Sequence, residues 1–442
     1  MIERWFQLTR HGTTVRTELV AGITTFAAMA YILAVNPAIL GGSGMDKGAL
    51  ITATALASAL MTLVMALATN YPIALAPGMG LNAFFTFGIC LGAKIPWQAA
   101  LGLVFYGGVL FLILSLTGIR QRLLEAIPQE LKLAITSGIG LFIAFIGLKN
   151  GGVIVDHPAT LVGLGDFRNP GPLMVLAGVV VGAALVWRKL PGAILMTVVG
   201  LTILGLFLRT PDGKGGLVAI TRTPDTWISA PASLSPSFLA LDLGYFWSHW
   251  RTCLPILLSL LFVDLFDNMG TLIGVCQRAG LLDAQGRLPK IGRALLADAS
   301  AAMVGSVLGT STVTSYIESA AGVEAGGRTG LTAVTTAGCF LLALFLSPLI
   351  AIVPEVATAP VLVLVGIFMM QSLADLDLRD FTKAVPAVIT LLAMPLTFSI
   401  AEGIALGFVA YVGFNLLTGR AKSVTPLAKG LGLLFLIHLI YR

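Results

Sequence analysis

Apolar residues follow one another in long runs, separated by short stretches rich in Lys, Arg, Gly and Pro. A helix needs about 20 mostly apolar residues to cross a bilayer. Runs of this kind predict twelve spanning helices, near 18–39, 50–69, 97–117, 131–148, 172–187, 191–208, 252–276, 293–308, 329–352, 358–373, 384–399 and 401–418. The pattern therefore predicts an all-α integral membrane protein.

Two further segments are apolar but interrupted. Segments 72–91 and 309–325 begin with Gly, Pro, Ser or Thr and continue as helix-like sequence. Interrupted segments at matching places in two halves indicate the binding site of a transporter. Counting them gives fourteen transmembrane segments, seven per half. Because seven is odd, the second half enters the membrane from the opposite side, which predicts two inverted repeats.

The two halves also resemble each other in sequence. AIPQELKLAITSGIGLFIAF (126–145) aligns with IVPEVATAPVLVLVGIFMMQ (352–371), and the alignment matches Pro128 with Pro354, Gly140 with Gly366 and Phe142 with Phe368. We divide the chain into a first repeat (1–208), an external linker (209–251), a second repeat (252–420) and a tail (421–442). For the tail, an interfacial helix is favoured over a partial span.

Composition agrees with a lipid environment. Hydrophobic residues make up 57% of the chain and charged residues 11%, whereas soluble proteins carry roughly 25% charged residues. The net charge is +6. Most Lys and Arg fall in loops on one side, which predicts a multi-pass protein of the cell (inner) membrane with both termini in the cytoplasm. Because no basic patch is interleaved with aromatics, no nucleic-acid partner is expected.

Acidic side chains inside a span are expensive and usually face a cavity. Asp264 and Asp267 are three residues apart in the span 252–276, so they share a helix face, which Thr271 extends. Asp298 lies in the next span. It either supports the site or relays protons, or it is a plain helix-interface residue.

The interrupted segments carry the other candidates. Glu318 follows a run of Ser and Thr that includes Ser315, at the start of a half-helix whose N-terminus offers unpaired N–H groups. Its alternative role is a helix cap. In the first interrupted segment Gly80 permits close backbone approach and Asn82 offers both a donor and an acceptor. Phe84 either stacks on a flat ring or packs in the ordinary way.

Together these groups complement a planar heterocycle with N–H donors and carbonyl acceptors. A carboxylate removed from water binds a proton more readily, so the acids Asp264, Asp267, Glu318 and Asp298 are candidates for proton coupling. Sodium coupling would use the same carboxylates and is the less favoured alternative. No phosphate loop, histidine cluster or Ser/His pair stands out in the sequence, so we expect no cofactor, no metal site and no enzymatic activity.

Four segments carry a resemblance to a known family: 17–37, 76–85, 262–271 and 309–334. They resemble the azaguanine-permease-like branch (adenine, guanine and hypoxanthine permeases) of the nucleobase–cation symporter-2 family. The resemblance implies fourteen segments in two inverted repeats. It also implies a core domain (segments 1–4 and 8–11), a gate domain (segments 5–7 and 12–14), and segments 3 and 10 that are half strand and half helix.

The resemblance further implies proton-coupled symport of hypoxanthine, guanine or adenine by alternating access, with contacts from Asn82, Asp264 or Asp267, and Glu318. Uracil and xanthine relatives carry a Glu followed four positions later by a His. Asp267 and Thr271 hold those positions here, which weakens a uracil or xanthine assignment and favours the branch of adenine, guanine and hypoxanthine permeases. A homodimer through the gate domain is implied by analogy. The alternatives are the same fold with another substrate, uracil, xanthine or an exchanged anion, or a membrane protein that does not transport.

Overall fold

The structure of the chain is a computed structural model. It describes residues 2–117, 127–211, 216–224, 226–283, 288–422 and 424–440, without the side chains of Phe266, Asp267, Met269 and Gly270.

The first half of the described chain is mainly helical. In chain order its elements are α1 (Ile2–Phe6), α2 (Val15–Met29), α3 (Ile32–Gly41), α4 (Lys47–Thr69), β1 (Leu75–Pro77), α5 (Met79–Ala83), a π-helix (Phe84–Gly92), α6 (Trp97–Thr117), α7 (Gln129–Asn150), β2 (Ile154–His157), β3 (Leu161–Leu164), α8 (Pro170–Trp187) and α9 (Ala193–Phe207).

The second half of the described chain is also mainly helical. Its elements are β4 (Arg209–Pro211), β5 (Leu217–Ala219), α10 (Gly244–Ser248), α11 (Trp250–Arg278), α12 (Ile291–Leu308), β6 (Val313–Ser315), α13 (Ser319–Glu324), α14 (Gly330–Ala343), a 3-10 turn (Leu344–Leu346), α15 (Ser347–Ala351), α16 (Glu355–Met370), a 3-10 turn (Gln371–Asp375), α17 (Phe381–Thr397), α18 (Ile400–Leu417) and α19 (Pro426–Ile440).

Each of the twelve predicted spans coincides with helix, with ends that agree to about three residues. Three of them are composite: the first contains α2 and α3, the ninth contains α14, a 3-10 turn and α15, and the tenth runs from α16 into a 3-10 turn. Within the described residues, nine helical stretches are long and apolar enough to cross a membrane. The chain is thus a mostly helical, multi-pass membrane protein.

The two interrupted segments meet in a short antiparallel pair of strands. Strand β1 pairs with β6 so that Leu75 opposes Ser315 and Pro77 opposes Val313. The Tyr316 hydroxyl extends the pairing by donating to the carbonyl of Pro77 at 2.6 Å. A half-helix follows each strand, as the sequence predicts for these segments. We call this pairing, with the residues that flank it, the strand crossing.

The helices pack in two groups. The strand-bearing group contains α2, α3, α4, α6, α12, α13 and α14 around β1 and β6. The second group contains α7, α8, α9, α16, α17, α18 and α19. Helix α11 packs mainly on α6 and α13 and also touches α7, α18 and α19. The strand crossing therefore belongs to the strand-bearing group, and the half-helix after β1 contacts α7 of the second group.

Helices α7 and α16 form the most extensive contact between two helices, and they make it through glycine. A Cβ on Gly140 would lie 2.6 Å from the carbonyl oxygen of Gly366. The residues Pro128 and Pro354 precede the two helices as their N-caps. Two of the three matched pairs therefore hold corresponding places here, since both prolines are N-caps and the two glycines are in direct contact.

The linker and the tail both pack on helices. Linker residues join the ends of α4, α12 and α6 through hydrogen bonds of 2.9 Å, in the pairs Thr52 with Ala232, Leu239 with Val307 and Asp242 with Gln98. Tail helix α19 packs along α18, where Phe435 meets Phe408 with ring centroids 5.5 Å apart and His438 approaches Glu402 at 3.4 Å. An interfacial position of this helix stays a prediction.

Candidate functional site

A buried carboxylate joins three elements at the strand crossing. Asp298 on α12 is fully buried. Its Oδ1 accepts hydrogen bonds from the Ser315 backbone N–H at 3.1 Å and hydroxyl at 3.2 Å, and from the Thr314 hydroxyl at 3.4 Å. Its Oδ2 accepts a hydrogen bond from Nδ2 of Asn268 on α11. Because hydrogen bonds are directional, this one side chain fixes the end of β6 relative to α11.

Asp264 lies on the same helix as Asn268, one turn earlier, and is buried. It lines a crevice between α6, α11 and α12, together with Val104, Gly107, Gly108, Leu260, Leu261, Ala302 and Thr312. Thr312 directly precedes β6. The crevice therefore places Asp264 beside the strand crossing, on the side of α6.

Helix α11 carries the two remaining predicted residues of this span. Asp267 lies within the helix, but its side chain is outside the described part of the structure. Thr271 is buried on α11. Which of the two aspartates contacts a ligand stays open.

The first half-helix presents its predicted residues in different directions. Asn82 is fully buried, and its Oδ1 accepts a hydrogen bond from the Ser311 hydroxyl. Its Nδ2 has no hydrogen-bond partner among the described residues. Gly80 faces the second group, since a Cβ there would lie 3.0 Å from Cγ2 of Ile139 on α7. Phe84 is fully buried, so in this conformation its ring packs inside the protein.

Glu318 lies on the opposite flank of the crossing. It occupies the N-cap position of α13, but its side chain makes no capping hydrogen bond there. Instead the hydroxyl of Tyr31 donates to Glu318 Oε1 at 2.5 Å. Glu324, at the other end of the same short helix, forms an exposed ion pair with Arg278 at 3.0 Å. The helix thus carries one partly buried acid, bonded to Tyr31, and one exposed acid, paired with Arg278.

A second buried carboxylate binds the chain that follows the second interrupted segment. Glu18 is fully buried, and its Oε1 accepts from the Arg328 N–H at 2.9 Å. Its Oε2 accepts from the N–H and hydroxyl of Thr329 and from the N–H and hydroxyl of Thr332, at 2.6 to 3.3 Å. Orphan N–H groups at the start of α14 are satisfied in this way, so α2 is bound to α14.

Side chains outside the spans anchor the approach to β1. The Lys290 backbone N–H donates to the Tyr71 hydroxyl at 2.9 Å, and Lys290 Nζ donates to the Thr69 carbonyl at 2.8 Å. Burial raises the pKa of Tyr71 to about 12 and lowers the pKa of Lys290. The loop before α12 is therefore tied to the chain that enters β1.

The described contacts distribute the predicted residues around the crossing in three clusters. Ser315 joins Asp298, Asp264 lies beside Thr312, and Asn82 joins Ser311. Glu318 forms a separate contact with Tyr31. All of these pairs except the last include a residue of the stretch 311–315, which makes that stretch the centre of the site.

Sequence reasoning missed several partners. Asn268 carries a usable signal, because a carboxamide directly follows Asp267 inside an apolar span. Ser311 is one of many hydroxyl residues in its run, and Tyr31 has no distinguishing context. Glu18 is visible only as an acid in a first helical turn. None of these residues could be paired with its hydrogen-bond partner from the sequence, because the partners are 30 or more positions apart.

The site offers carboxylates, hydroxyls and carboxamides within an apolar surrounding. Such a set suits a small polar molecule that both donates and accepts hydrogen bonds. Within the described ranges, no group of three or more His, Cys, Asp or Glu side chains lies close enough to hold a metal ion.

Comparisons with known proteins agree with this architecture. The sequence model of the Permease family matches residues 16–406. The chain is 43% identical to the adenine permease AdeP of Escherichia coli (strain K12), over 100% of this chain and 96% of the relative. It is also 43% identical to the guanine/hypoxanthine permease PbuG of Bacillus subtilis (strain 168), over 100% of both chains.

Among solved structures, the transmembrane domain of a cyanobacterial bicarbonate transporter, BicA, has a TM-score of 0.62. It is 16% identical, and the likeness covers 90% of this chain and 97% of that domain. At this identity the likeness shows the fold alone. The family and its full-length relatives are permeases, so the protein is a membrane transporter and not an enzyme. The chain belongs to the nucleobase–cation symporter-2 family of permeases, as its sequence motifs indicate.

Proposed function

We propose that the protein carries purine nucleobases (hypoxanthine, guanine or adenine) into the cell together with protons. The observation that carries this proposal is the polar strand crossing in a chain whose full-length relatives are named as adenine and guanine/hypoxanthine permeases. The crossing supplies both donors and acceptors, which a purine edge requires.

Recognition of the base rests on groups of both polarities. Asn82 supplies a buried amide donor, and Glu318 supplies carboxylate acceptors at the start of α13. Asp264, with Asp267 and Thr271 on the same helix, supplies further polar groups from α11. Gly80, Ser315 and Phe84 stay predicted contacts. In this conformation Gly80 packs on Ile139, the Ser315 hydroxyl donates to Asp298 and the Phe84 ring is buried. A flat base with alternating N–H donors and acceptors complements this arrangement.

Proton coupling rests on the acids at the crossing. Asp264, Asp267 and Glu318 are the proposed carriers of the proton. A proton moving down a membrane potential of 100 mV gains roughly 2.3 kcal/mol, enough for more than tenfold accumulation of a neutral substrate. Asp298 accepts hydrogen bonds from three neighbouring residues, so we assign it to holding the site during coupling. Sodium remains the alternative coupling ion.

Alternating access would use the two helix groups. We assign the strand-bearing group and α11 to the core domain. We assign the second group to the gate domain. Bound substrate would travel with the core against the gate. The proposed organisation is fourteen segments in two inverted repeats, 1–208 and 252–420, and a homodimer would form through the gate. The distribution of Lys and Arg supports cytoplasmic termini in the cell (inner) membrane.

Anion exchange on the same fold is the alternative with a structural relative. BicA is a bicarbonate transporter. The acids Asp264, Asp298 and Glu318 flank the crossing here, and their negative charge disfavours an anionic substrate. Uracil and xanthine remain substrates to be tested against hypoxanthine, guanine and adenine.

Uptake into proteoliposomes tests the function. Labelled hypoxanthine should accumulate when the outside is made more acidic, and unlabelled guanine or adenine should compete while uracil, xanthine and sulfate compete less. A protonophore should abolish accumulation. If accumulation persists with the protonophore and requires sodium, proton coupling is wrong. If no purine is taken up while sulfate is, purine transport is wrong.

A further inference from the structure

The amide of Asn82 is held in one orientation by a neighbouring serine. Its Oδ1 accepts the hydrogen bond of the Ser311 hydroxyl, so its Nδ2 is the end that remains available. Both side chains are fully buried. A buried donor without a partner is rare in folded proteins and indicates a missing ligand or water.

Hydrogen bonds hold the residues on both sides of Ser311. On one side the Thr310 backbone N–H donates to the Gly305 carbonyl at 2.9 Å, and the Thr310 hydroxyl accepts from Nδ2 of Asn36 at 2.9 Å. On the other side the Thr312 carbonyl accepts from the Gly78 N–H at 2.9 Å, immediately before the strand pairing begins. The position of the Ser311 hydroxyl is therefore restricted, and it cannot move far if the Asn82 side chain shifts.

Asn82 is fixed in a similar way. Its backbone N–H donates to the Gly78 carbonyl at 2.8 Å, which starts the half-helix. Gly78 thus binds both the residue after Ser311 and Asn82 itself. The distance and direction between the serine hydroxyl and the amide are set by the strand crossing. If the amide turned over, Nδ2 would donate to the hydroxyl oxygen, and the buried hydroxyl hydrogen would lose Oδ1 as its acceptor.

We propose that Ser311 is a positioning residue, which orients Asn82 so that its Nδ2 donates to a hydrogen-bond acceptor atom of the transported base. This assignment rests on the proposed function and deepens it. It identifies the recognised atom as a ring nitrogen or carbonyl oxygen of the base. Water is the competing occupant, because a buried polar site of this kind can also hold a solvent molecule.

A binding experiment separates these possibilities. Purified wild-type protein, Asn82→Ala, Ser311→Ala and Ser306→Ala are compared for displacement of labelled hypoxanthine by a set of purine analogues. Each analogue lacks one acceptor: N3, N7 or the 6-oxo group. Ser306 is the matched control, a buried serine on α12 that donates to the Met303 carbonyl. Thermal unfolding of each variant confirms that it is folded.

On wild-type protein, one analogue should bind about 10- to 100-fold more weakly than hypoxanthine, because it leaves the buried donor unpaired. Asn82→Ala should remove that discrimination. Ser311→Ala should weaken hypoxanthine binding and reduce the discrimination severalfold, since the amide can then turn its oxygen toward the base. A loss of folding alone would not change this ratio, and Ser306→Ala should keep it.

The outcomes are distinguishable. If wild-type protein binds no purine, the proposed function fails. If it binds purines but every acceptor-deleted analogue competes equally, Nδ2 serves water and the inference fails. The inference also fails if Ser311→Ala keeps both the affinity and the discrimination of the wild type.

Discussion

Two places in the molecule join the halves of the sequence, and they do so by opposite means. At the strand crossing, residues of the first interrupted segment pair with residues 313–315 through backbone hydrogen bonds, and Asp298 adds side-chain bonds. At the contact of α7 and α16, Gly140 and Gly366 bring two backbones together by packing. One joint is polar and directional, whereas the other is apolar.

The difference suits different tasks. Directional bonds hold donors and acceptors in one geometry, which a binding site requires. Close packing of small residues holds membrane helices together without hydrogen bonds. The stability of the polar joint should therefore depend on its hydrogen-bonding groups, even when a substitution keeps the side-chain volume. The stability of the apolar joint should fall when side-chain volume is added.

Loss of the carboxylate at the polar joint should have the largest effect on stability. Asp298→Ala leaves donors of Asn268, Thr314 and Ser315 buried without their acceptor. Each such group costs about 1–3 kcal/mol, so the free energy of unfolding should fall by about 3 kcal/mol or more. Unfolding of purified protein in detergent measures this. Ser300→Ala on the same helix is the control, and an equal effect of both variants would contradict a special role of the carboxylate.

Added volume at the apolar joint should have the next largest effect. Gly366→Ala forces a methyl group against the Gly140 carbonyl, and overpacking costs typically 1–3 kcal/mol. The same substitution at Gly338, where a Cβ meets open space, should be neutral or slightly stabilising because alanine favours helix. The unfolding midpoints of the two variants test this. Equal midpoints would show that α7 and α16 do not pack as described.

A smaller loss of stability is expected at Glu18, whose polar contacts with α14 lie outside the strand crossing. Glu18→Gln keeps the shape of the side chain but turns an amide group toward the donors of Thr329 and Thr332. Hydrogen bonds to a charged group are worth about 1.5–3 kcal/mol, and the remaining oxygen retains part of this, so we expect about 1–2 kcal/mol. Purine affinity should stay within about twofold of the wild type. A large loss of affinity with normal stability would place Glu18 in the site.

The smallest effect is expected between the two helix groups. Lys47 and Glu355 approach to 3.5 Å with both side chains mostly exposed. Such pairs contribute about 0–1 kcal/mol, so Lys47→Ala should shift the unfolding midpoint little, and less at high salt. A loss above about 2 kcal/mol would mean that the groups are held by a strong polar contact, against the comparison drawn above.

Much of the fold is predictable from sequence because the membrane imposes a local rule. Every stretch near 20 apolar residues becomes helix, so the predicted spans agree with helices such as α6 and α7 almost to the residue. The interrupted segments are recognisable from their Gly, Pro, Ser and Thr, and their strands appear at Leu75–Pro77 and Val313–Ser315.

The partners inside the site are not predictable in this way. Glu18 and Arg328 are 310 residues apart in sequence, yet they are hydrogen bonded. Asn82 and Ser311 are 229 residues apart. Such pairs depend on how the two halves dock, and hydropathy carries no information on docking. The acids Asp264, Asp298 and Glu318 were recognisable as unusual, but their separate contacts with α6, β6 and Tyr31 were not.

Equilibrium binding of labelled hypoxanthine to Glu318→Gln tests the central claim, a purine site at the strand crossing, most directly. Glu324→Gln is the matched control, because this exposed acid lies on the same short helix. We expect Glu318→Gln to bind about 10- to 100-fold more weakly than wild type, and Glu324→Gln to bind as the wild type does. Unchanged affinity of Glu318→Gln, in a protein that binds hypoxanthine, would contradict the account.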